Sequence, residues 1–373
     1  MTTPSRDETT SRAIRLVSIG TAVPTGSISQ SDAAALAKQF THGRYQSTVP
    51  ALYRLAGVEK RHSVICAESP ADPLRNSFYP AAVNDQDRGP TTATRMQKYT
   101  DEAAPLAEHA CRIAFDDSTI APEEITHLVT VSCTGFSAPG VDLALVERLG
   151  LSRQVRRTHI GYMGCHGLLN ALHVGQAFAA DPDASVLVCA VELCTLHQQY
   201  TDAPQQIVAN ALFADGSAAV LMRQESSDQH ADGWVLQAQS SYVIPETADM
   251  MTWTIDDHGF QMTLSPKVPV VIRATLVNWL QNWLSSFGLT IADIPNWAIH
   301  PGGPKIITAT GQALNLTPEQ LAPSQSILKR FGNMSSPTIA FILNELQMNG
   351  AGGPCVTLAF GPGLTVEAAL LTR

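Results

Sequence analysis

Apolar positions along the 373-residue chain follow two periods, and the places where one gives way to the other mark its elements. Residues 1–13 are polar without a period and read as a solvated tail. Residues 14–20 (IRLVSIG) form the first run with strand character. Residues 67–92 (AESPADPLRNSFYPAAVNDQDRGPTT) are rich in Pro, Asn and Asp and predict a long loop, a kind that in compact domains tends to be functional or mobile. A helical pattern over about 93–115 follows. The apolar strand 127–133 (HLVTVSC) then ends in the turn-forming TGFSAPG.

Two later stretches repeat one design. GYMGCHG (161–167) opens a helix carrying Leu168, Leu172 and Phe178, DPDAS breaks it, and 186–193 (VLVCAVEL) is a buried strand. FGNMSSPT (331–338) opens a helix carrying Ile339, Ile342, Leu343 and Leu346, NGAGGP breaks it, and 355–360 (CVTLAF) is its strand. The spacings Cys165 to Val186 and Asn333 to Val356 are nearly equal. Either an α/β chain is repeating its common unit, or the protein consists of two similar halves. The polar stretch 223–233 would divide them into 14–228 and 229–373, with 1–13 as the tail.

Composition narrows the class. Hydrophobic residues make up 45% and charged residues 15%, which supports a large core and excludes a disordered chain. A net charge of -9 argues against a nucleic-acid partner while leaving room for a local basic patch that holds one anion. The seven cysteines, at 66, 111, 133, 165, 189, 194 and 355, contain no C-x-x-C pair. That pattern fits reduced thiols and a cytoplasmic location better than a disulfide or zinc framework. The segment MTTPSRDETTSR carries no apolar signal region, and no apolar run reaches the roughly 18 residues of a membrane span.

Three residues carry candidate chemistry. Cys165 sits between Gly164 and Gly167 where a helix begins, so unpaired N–H groups and the helix dipole would favour its thiolate. Most free cysteines are small buried hydrophobes, so its position is only half the argument. His300 follows the apolar run NWAI and precedes PGGP, a strand end suited to presenting an imidazole as general base. Asn333, in GNMSS, can either cap the following helix or donate its amide N–H to an oxyanion.

Taken together, GYMGCHG, WAIHPGGP, RFGNMSSPT and AFGPGLTVEAALL resemble the chalcone synthase-like, or type III polyketide synthase, family of the thiolase superfamily. CTGFSAPGVD, ALFADGSAAVL and GFQMTLSPKVP extend the resemblance from about residue 14 to the C-terminus. It implies a thiolase-like five-layered αβαβα fold of two similar halves and a homodimer. Ketoacyl synthase III enzymes share a Cys-His-Asn set, but their motifs usually read HQAN and YGNTS. HMG-CoA synthases pair the cysteine with a glutamate.

The resemblance assigns Cys165 as the nucleophile that takes an acyl-CoA starter. His300 and Asn333 would then hold malonyl-CoA while it loses CO₂, and the chain would cyclise to a pyrone, resorcinol or similar product. No metal or cofactor is implied. Phe213 and Met262 fall on the two gate positions, the second usually Phe. Cys133, Cys194, His197 and Ser335 fall on cavity-lining positions, where plant enzymes have mainly Thr at the first three. Softer walls and one added polar group, His197, predict aliphatic starters. Ala138 stands where many relatives have a Met that reaches into the partner subunit. Arg54, Lys60, Arg61 and Lys305 are the candidates for CoA phosphates. The competing readings are a ketoacyl synthase III-like enzyme and a Cys-His-Asn thioester hydrolase.

Overall fold

The computed structural model describes residues 12–41, 43–66, 78–226 and 233–373. Its architecture follows from strands that are apolar on both faces. Along His127–Ser132, Leu128 joins one core cluster while Val129 and Val131 join another. Along Ser185–Leu193, Val186, Val188 and Ala190 face the second cluster, and Leu187, Cys189 and Val191 the first. Successive side chains on a strand point to opposite faces, so a continuous apolar run must be covered on both sides.

The covering layers supply the rest. Helix Thr92–Asp116 packs Ala103, Ala107, Ala110 and Ala114 against the outer face of the first half. Helix Val268–Ser285 packs Ile272, Leu276, Leu280 and Leu284 against Val356, Leu358 and Phe360 on the outer face of the second. Helices Gly167–Ala179 and Thr338–Met348 share one central cluster with the inner faces of both halves. Helix, half-sheet, paired helices, half-sheet, helix is the five-layered thiolase-like arrangement, the two half-sheets being continuous where they meet.

Across the sheet the order is Asn296–Ile299, Cys355–Gly361, Thr365–Thr372, Trp234–Val243, Arg12–Ala22, Asp215–Ser226, Ser185–Leu193, His127–Ser132 and Arg156–Gly161. Each half carries an antiparallel pair, Ser185–Leu193 with Asp215–Ser226 and Cys355–Gly361 with Thr365–Thr372, flanked outward by parallel strands. The halves meet where Arg15 pairs with Val235 and Leu16 with Trp234.

The first strand starts at Arg12, ahead of the expected residue 14, and Asp215–Ser226 runs through positions that composition marked as a divider. The two pair directly, Arg12 with Ser226 and Ile14 with Gln224. The charged residues there hold each other within the sheet: Arg15 meets Glu225 at 3.1 Å and Arg223 meets it at 2.7 Å. Positions 1–11, 67–77 and 227–232, which take in most of the expected tail, part of the long loop and part of the divider, lie outside the described residues. Residues 78–91 form neither helix nor strand and are pinned by the buried Tyr79, whose hydroxyl donates to Thr195 O at 2.9 Å. Among the described residues, no helix is long and apolar enough to cross a membrane.

Candidate active site

The three candidate side chains sit in turns that follow strand Arg156–Gly161, strand Asn296–Ile299 and helix Pro318–Phe331. Strand Arg156–Gly161 passes through Tyr162 (φ 60°) and Gly164 (φ 72°) into a 3₁₀ turn, Gly164–His166, that leads into helix Gly167–Ala179. Cys165 sits in that turn. A side chain at 164 would need the left-handed conformation and would place its Cβ 2.5 Å from Pro362 Cδ, so glycine is required. His300 follows Asn296–Ile299, held by its N–H donating to Leu358 O at 2.7 Å. Asn333 is bound to the first half, donating its N–H to Leu212 O and accepting from Ala214 N, each at 2.9 Å.

Cys165, His300 and Asn333 line one cavity together with Phe213, Met262, Ile306 and Phe360. The amide of Asn333 is oriented: its Oδ1 accepts from Ser335 N at 2.8 Å, which turns Nδ2 towards the cavity as a donor. Helix Thr338–Met348 begins beyond it, after Pro337, so Asn333 is not that helix's cap. His300 is 1% exposed and neither ring nitrogen has a hydrogen-bond partner. A buried imidazole in that condition is normally costly, and a cavity that receives a polar ligand accounts for it.

Electrostatics differ from the expectation of a ready thiolate. Burial pushes the Cys165 thiol up to about 12, against the opposing pull of hydrogen bonds from Ser335 and Asn333. Burial, with a smaller contribution from His166, lowers His300 to about 3. Stripping water from a charge outweighs one helix N-terminus here, so burial favours a neutral thiol and a neutral imidazole.

Beside Cys165 lies a second space lined by Cys133, Cys165, Cys194, Phe213, Trp253, Met262, Ser335 and Pro362. A third extends from Cys194, His197, Phe213, Trp253 and Met262 towards Ile28, Leu36, Ser63 and Cys66. Phe213 and Met262 border all three and are only part-buried, so they stand between the His300 side and the inner spaces. His197 reaches the wall but adds no free polar group. Its Nε2 faces Thr134 O at 2.6 Å, its Nδ1 accepts from Phe260 N at 2.9 Å, and burial keeps it neutral, lowered to about 3. The cavity meets ring surface, stacked on Phe260 and edge-on to Trp253.

Arg61 is also reassigned. It is 4% exposed and donates to Asn210 O at 2.7 Å, Ala211 O at 2.6 Å and Phe213 O at 3.1 Å, and to Gln30 Oε1. A guanidinium spent on backbone carbonyls has no reach to a phosphate. Arg54, Lys60 and Lys305 are exposed. Arg54 and Lys305 come from elements that touch where Gly57 meets Pro304, beside the Gly302 and Ile306 wall of the His300 cavity.

Sequence reasoning passed over three residues. Trp253 lines both inner spaces and donates to Cys133 O at 2.8 Å. His166, next to the nucleophile, is 3% exposed and hydrogen-bonded at both ring nitrogens. Glu192 is fully buried and accepts from Cys133 N at 2.9 Å, Thr134 Oγ1 at 2.8 Å and Ser336 Oγ at 2.8 Å. Burial raises its carboxyl to about 7 despite those hydrogen bonds. The acid inside the apolar run VLVCAVEL was the available signal.

Comparison with known proteins agrees with this arrangement. Residues 3–226 match the chalcone and stilbene synthase N-terminal domain and residues 235–373 the C-terminal domain. The chain is 31% identical over 365 residues to a Mycobacterium tuberculosis protein named as the α-pyrone synthesis polyketide synthase-like Pks18, covering 94% of this chain and 89% of that one. It is 35% identical over 273 residues to the 1,3,6,8-tetrahydroxynaphthalene synthase of Streptomyces peucetius, covering 71% and 72%. The crystal structure of PKS-I from the brown alga Ectocarpus siliculosus superposes with a TM-score of 0.89 at 29% identity, covering 99% of this chain and 100% of that one. With Cys165, His300 and Asn333 gathered in one cavity, this chain belongs to the chalcone and stilbene synthase family, the type III polyketide synthases, which are decarboxylating condensing acyltransferases using acyl-CoA and malonyl-CoA.

Proposed function

We propose that this polyketide synthase loads an aliphatic acyl-CoA starter on Cys165, extends it with malonyl-CoA, and closes the chain to a pyrone or resorcinol-type ring. The observation that carries the reading is the common cavity of Cys165, an unpartnered His300 and an Asn333 amide turned inward by Ser335 N.

The steps follow from those groups. Neutral His300 takes the Cys165 proton as sulfur attacks the starter thioester, and coenzyme A leaves with a proton. Malonyl-CoA then enters with its thioester oxygen between His300 and Asn333 Nδ2. Loss of CO₂ moves an electron pair into that carbonyl, and the two donors meet the charge where it develops. The enolate carbon attacks the Cys165 thioester and expels the sulfur as thiolate, which takes up a proton from water before the next loading. The reading uses no metal or cofactor, because the thioester stabilises the carbanion and decarboxylation drives its formation.

The walls favour an apolar starter. Cys133, Cys194, Trp253, Met262 and the ring of His197 present little that could orient a phenol, and each buried methylene of an alkyl chain is worth about 0.8 kcal/mol. The M. tuberculosis relative is named for α-pyrone synthesis, which supports lactone closure. Arg54, Lys60 and Lys305 are the proposed phosphate contacts. Exposed Phe136, Leu143, Tyr162 and Met163, on segments around the nucleophile turn, support a homodimer that covers them. We place the enzyme in the cytoplasm, where CoA thioesters occur.

The test is incubation with malonyl-CoA alone and then with aliphatic and aromatic acyl-CoA starters. Products, and the peptide containing Cys165, are read by mass spectrometry. Acylation of any other cysteine overturns the assignment of the nucleophile. A preference for aromatic starters overturns the substrate class.

A further inference from the structure

His166, the residue after the nucleophile, is not used by the mechanism above, yet its contacts reach across the molecule. Its Nδ1 lies 2.6 Å from Asn170 Oδ1, one turn along the helix that starts at Gly167. Its Nε2 lies 2.6 Å from Thr365 Oγ1, which belongs to the other half of the chain. Thr365 closes the hairpin turn 361–365 between Cys355–Gly361 and Thr365–Thr372, and its hydroxyl has a second acceptor in Pro362 O at 3.0 Å. The imidazole also lies against Gly361, where an added Cβ would come within 2.3 Å of His166 Cδ2. Burial lowers the basicity of the ring, so it is neutral near pH 7. Nδ1–H then donates to Asn170, and Nε2 accepts from the Thr365 hydroxyl.

The hairpin is not a remote surface. Pro362 lines the space beside Cys165 and packs against Gly164. Strand Cys355–Gly361 also carries the carbonyl, Leu358 O, that anchors the His300 backbone. His166 therefore ties the nucleophile turn of the first half to the strand and hairpin of the second, which hold His300 and one cavity wall.

We infer that His166 is a positioning residue that, through Thr365, sets the placement of Cys165 relative to His300 and Pro362. The inference rests on the proposed roles of Cys165, His300 and Asn333. Thiol-to-imidazole proton transfer is sensitive to that placement, since a misplacement of about 1 Å can cost roughly 10²-fold in rate. Decarboxylation of malonyl-CoA in the absence of starter uses His300 and Asn333 and does not involve the sulfur.

Two single-turnover readouts test it: acylation of Cys165 by an acyl-CoA, and starter-free decarboxylation of malonyl-CoA. His166→Phe keeps a ring on Gly361 without polar atoms, and Thr365→Val removes the hydroxyl at constant shape. Each is expected to slow acylation about 10- to 100-fold with decarboxylation within about twofold of wild type. The double variant should be no slower than the slower single one, because both remove the same link. His166→Gln, whose amide can reach the Nε2 position, should recover part of the rate. Unchanged acylation in both single variants overturns the inference. So does a parallel fall of both rates with thermal stability, which would make the link merely structural. If His166→Phe does not fold, Thr365→Val decides by the same criteria. Cys165→Ala and Asn333→Ala run alongside: acylation that survives the first, or decarboxylation that survives the second, points instead to an error in the underlying reading.

Discussion

Removing the Asn333 side chain separates chemistry from architecture unusually well. Its backbone N–H and C=O are bound to Leu212 O and Ala214 N, and those bonds survive any substitution that keeps the backbone in place. Besides its interaction with the Cys165 sulfur, the side chain accepts one backbone hydrogen bond, Oδ1 from Ser335 N at 2.8 Å, worth about 1 kcal/mol of stability. In a chain of this size that moves the melting temperature by only a few degrees at most. The other end, Nδ2, is the proposed oxyanion donor. Deleting one such donor typically costs about 10²–10³-fold in rate, or about 2.7–4 kcal/mol of transition-state stabilisation. Asn333→Ala should therefore lose starter-free malonyl-CoA decarboxylation by that factor while melting close to wild type. Acylation of Cys165 should fall less, since His300 still receives the thiol proton. The assay is conversion of malonyl-CoA to acetyl-CoA by mass spectrometry, with thermal unfolding in parallel. Decarboxylation within about threefold of wild type would refute the reasoning and reduce Asn333 to a brace for the 333–338 turn.

Three further outcomes are expected. Because burial holds the Cys165 thiol near 12, iodoacetamide labelling of that residue should be slow at pH 7 and rise about tenfold per pH unit above it; an inflection near neutrality would reveal a preformed thiolate–imidazolium pair instead. Glu192, raised to about 7 by burial, binds its proton more tightly folded than unfolded, so its contribution to stability is complete below the unfolded carboxyl value and is lost as pH rises through about 7. Glu192→Gln keeps partners for Cys133 N, Thr134 and Ser336 and should flatten the melting temperature across that window relative to wild type. Arg61→Ala removes the side-chain donor from Asn210 O and Phe213 O, leaves Ala211 O only Gln30 Nε2, and should lower the melting temperature, whereas Lys305→Ala should raise the KM for malonyl-CoA at unchanged stability; the reverse pattern would restore Arg61 as a CoA contact.

The corrections share a cause. Arg61 and His197 were read by residue type, as a cation for phosphate and as a polar group for the wall. Each instead spends its polar atoms on the backbone: Arg61 on the carbonyls of 210, 211 and 213, His197 on Thr134 O and Phe260 N. Such partners lie far away in sequence and carry no side-chain signature. At the start of the 223–233 stretch the same holds: Arg15, Arg223 and Glu225 neutralise one another between paired strands, a partnership the sequence does not display.

By itself, the sequence determined the family and the order of elements, and it singled out the three candidate side chains. These are written locally: continuous apolar strand runs, glycines that permit the turn at Cys165, and motifs only a few residues long. The tertiary structure alone decided which polar atoms remain available, because that depends on partners brought together from opposite halves. It turned the Asn333 amide inward and left both nitrogens of His300 without a partner. It enclosed Glu192 beneath the cavity and bound His166 to Thr365. It also reversed the expected ionisation of Cys165, since the cost of losing water is set by the whole surrounding fold, whereas a helix start is a feature of one turn.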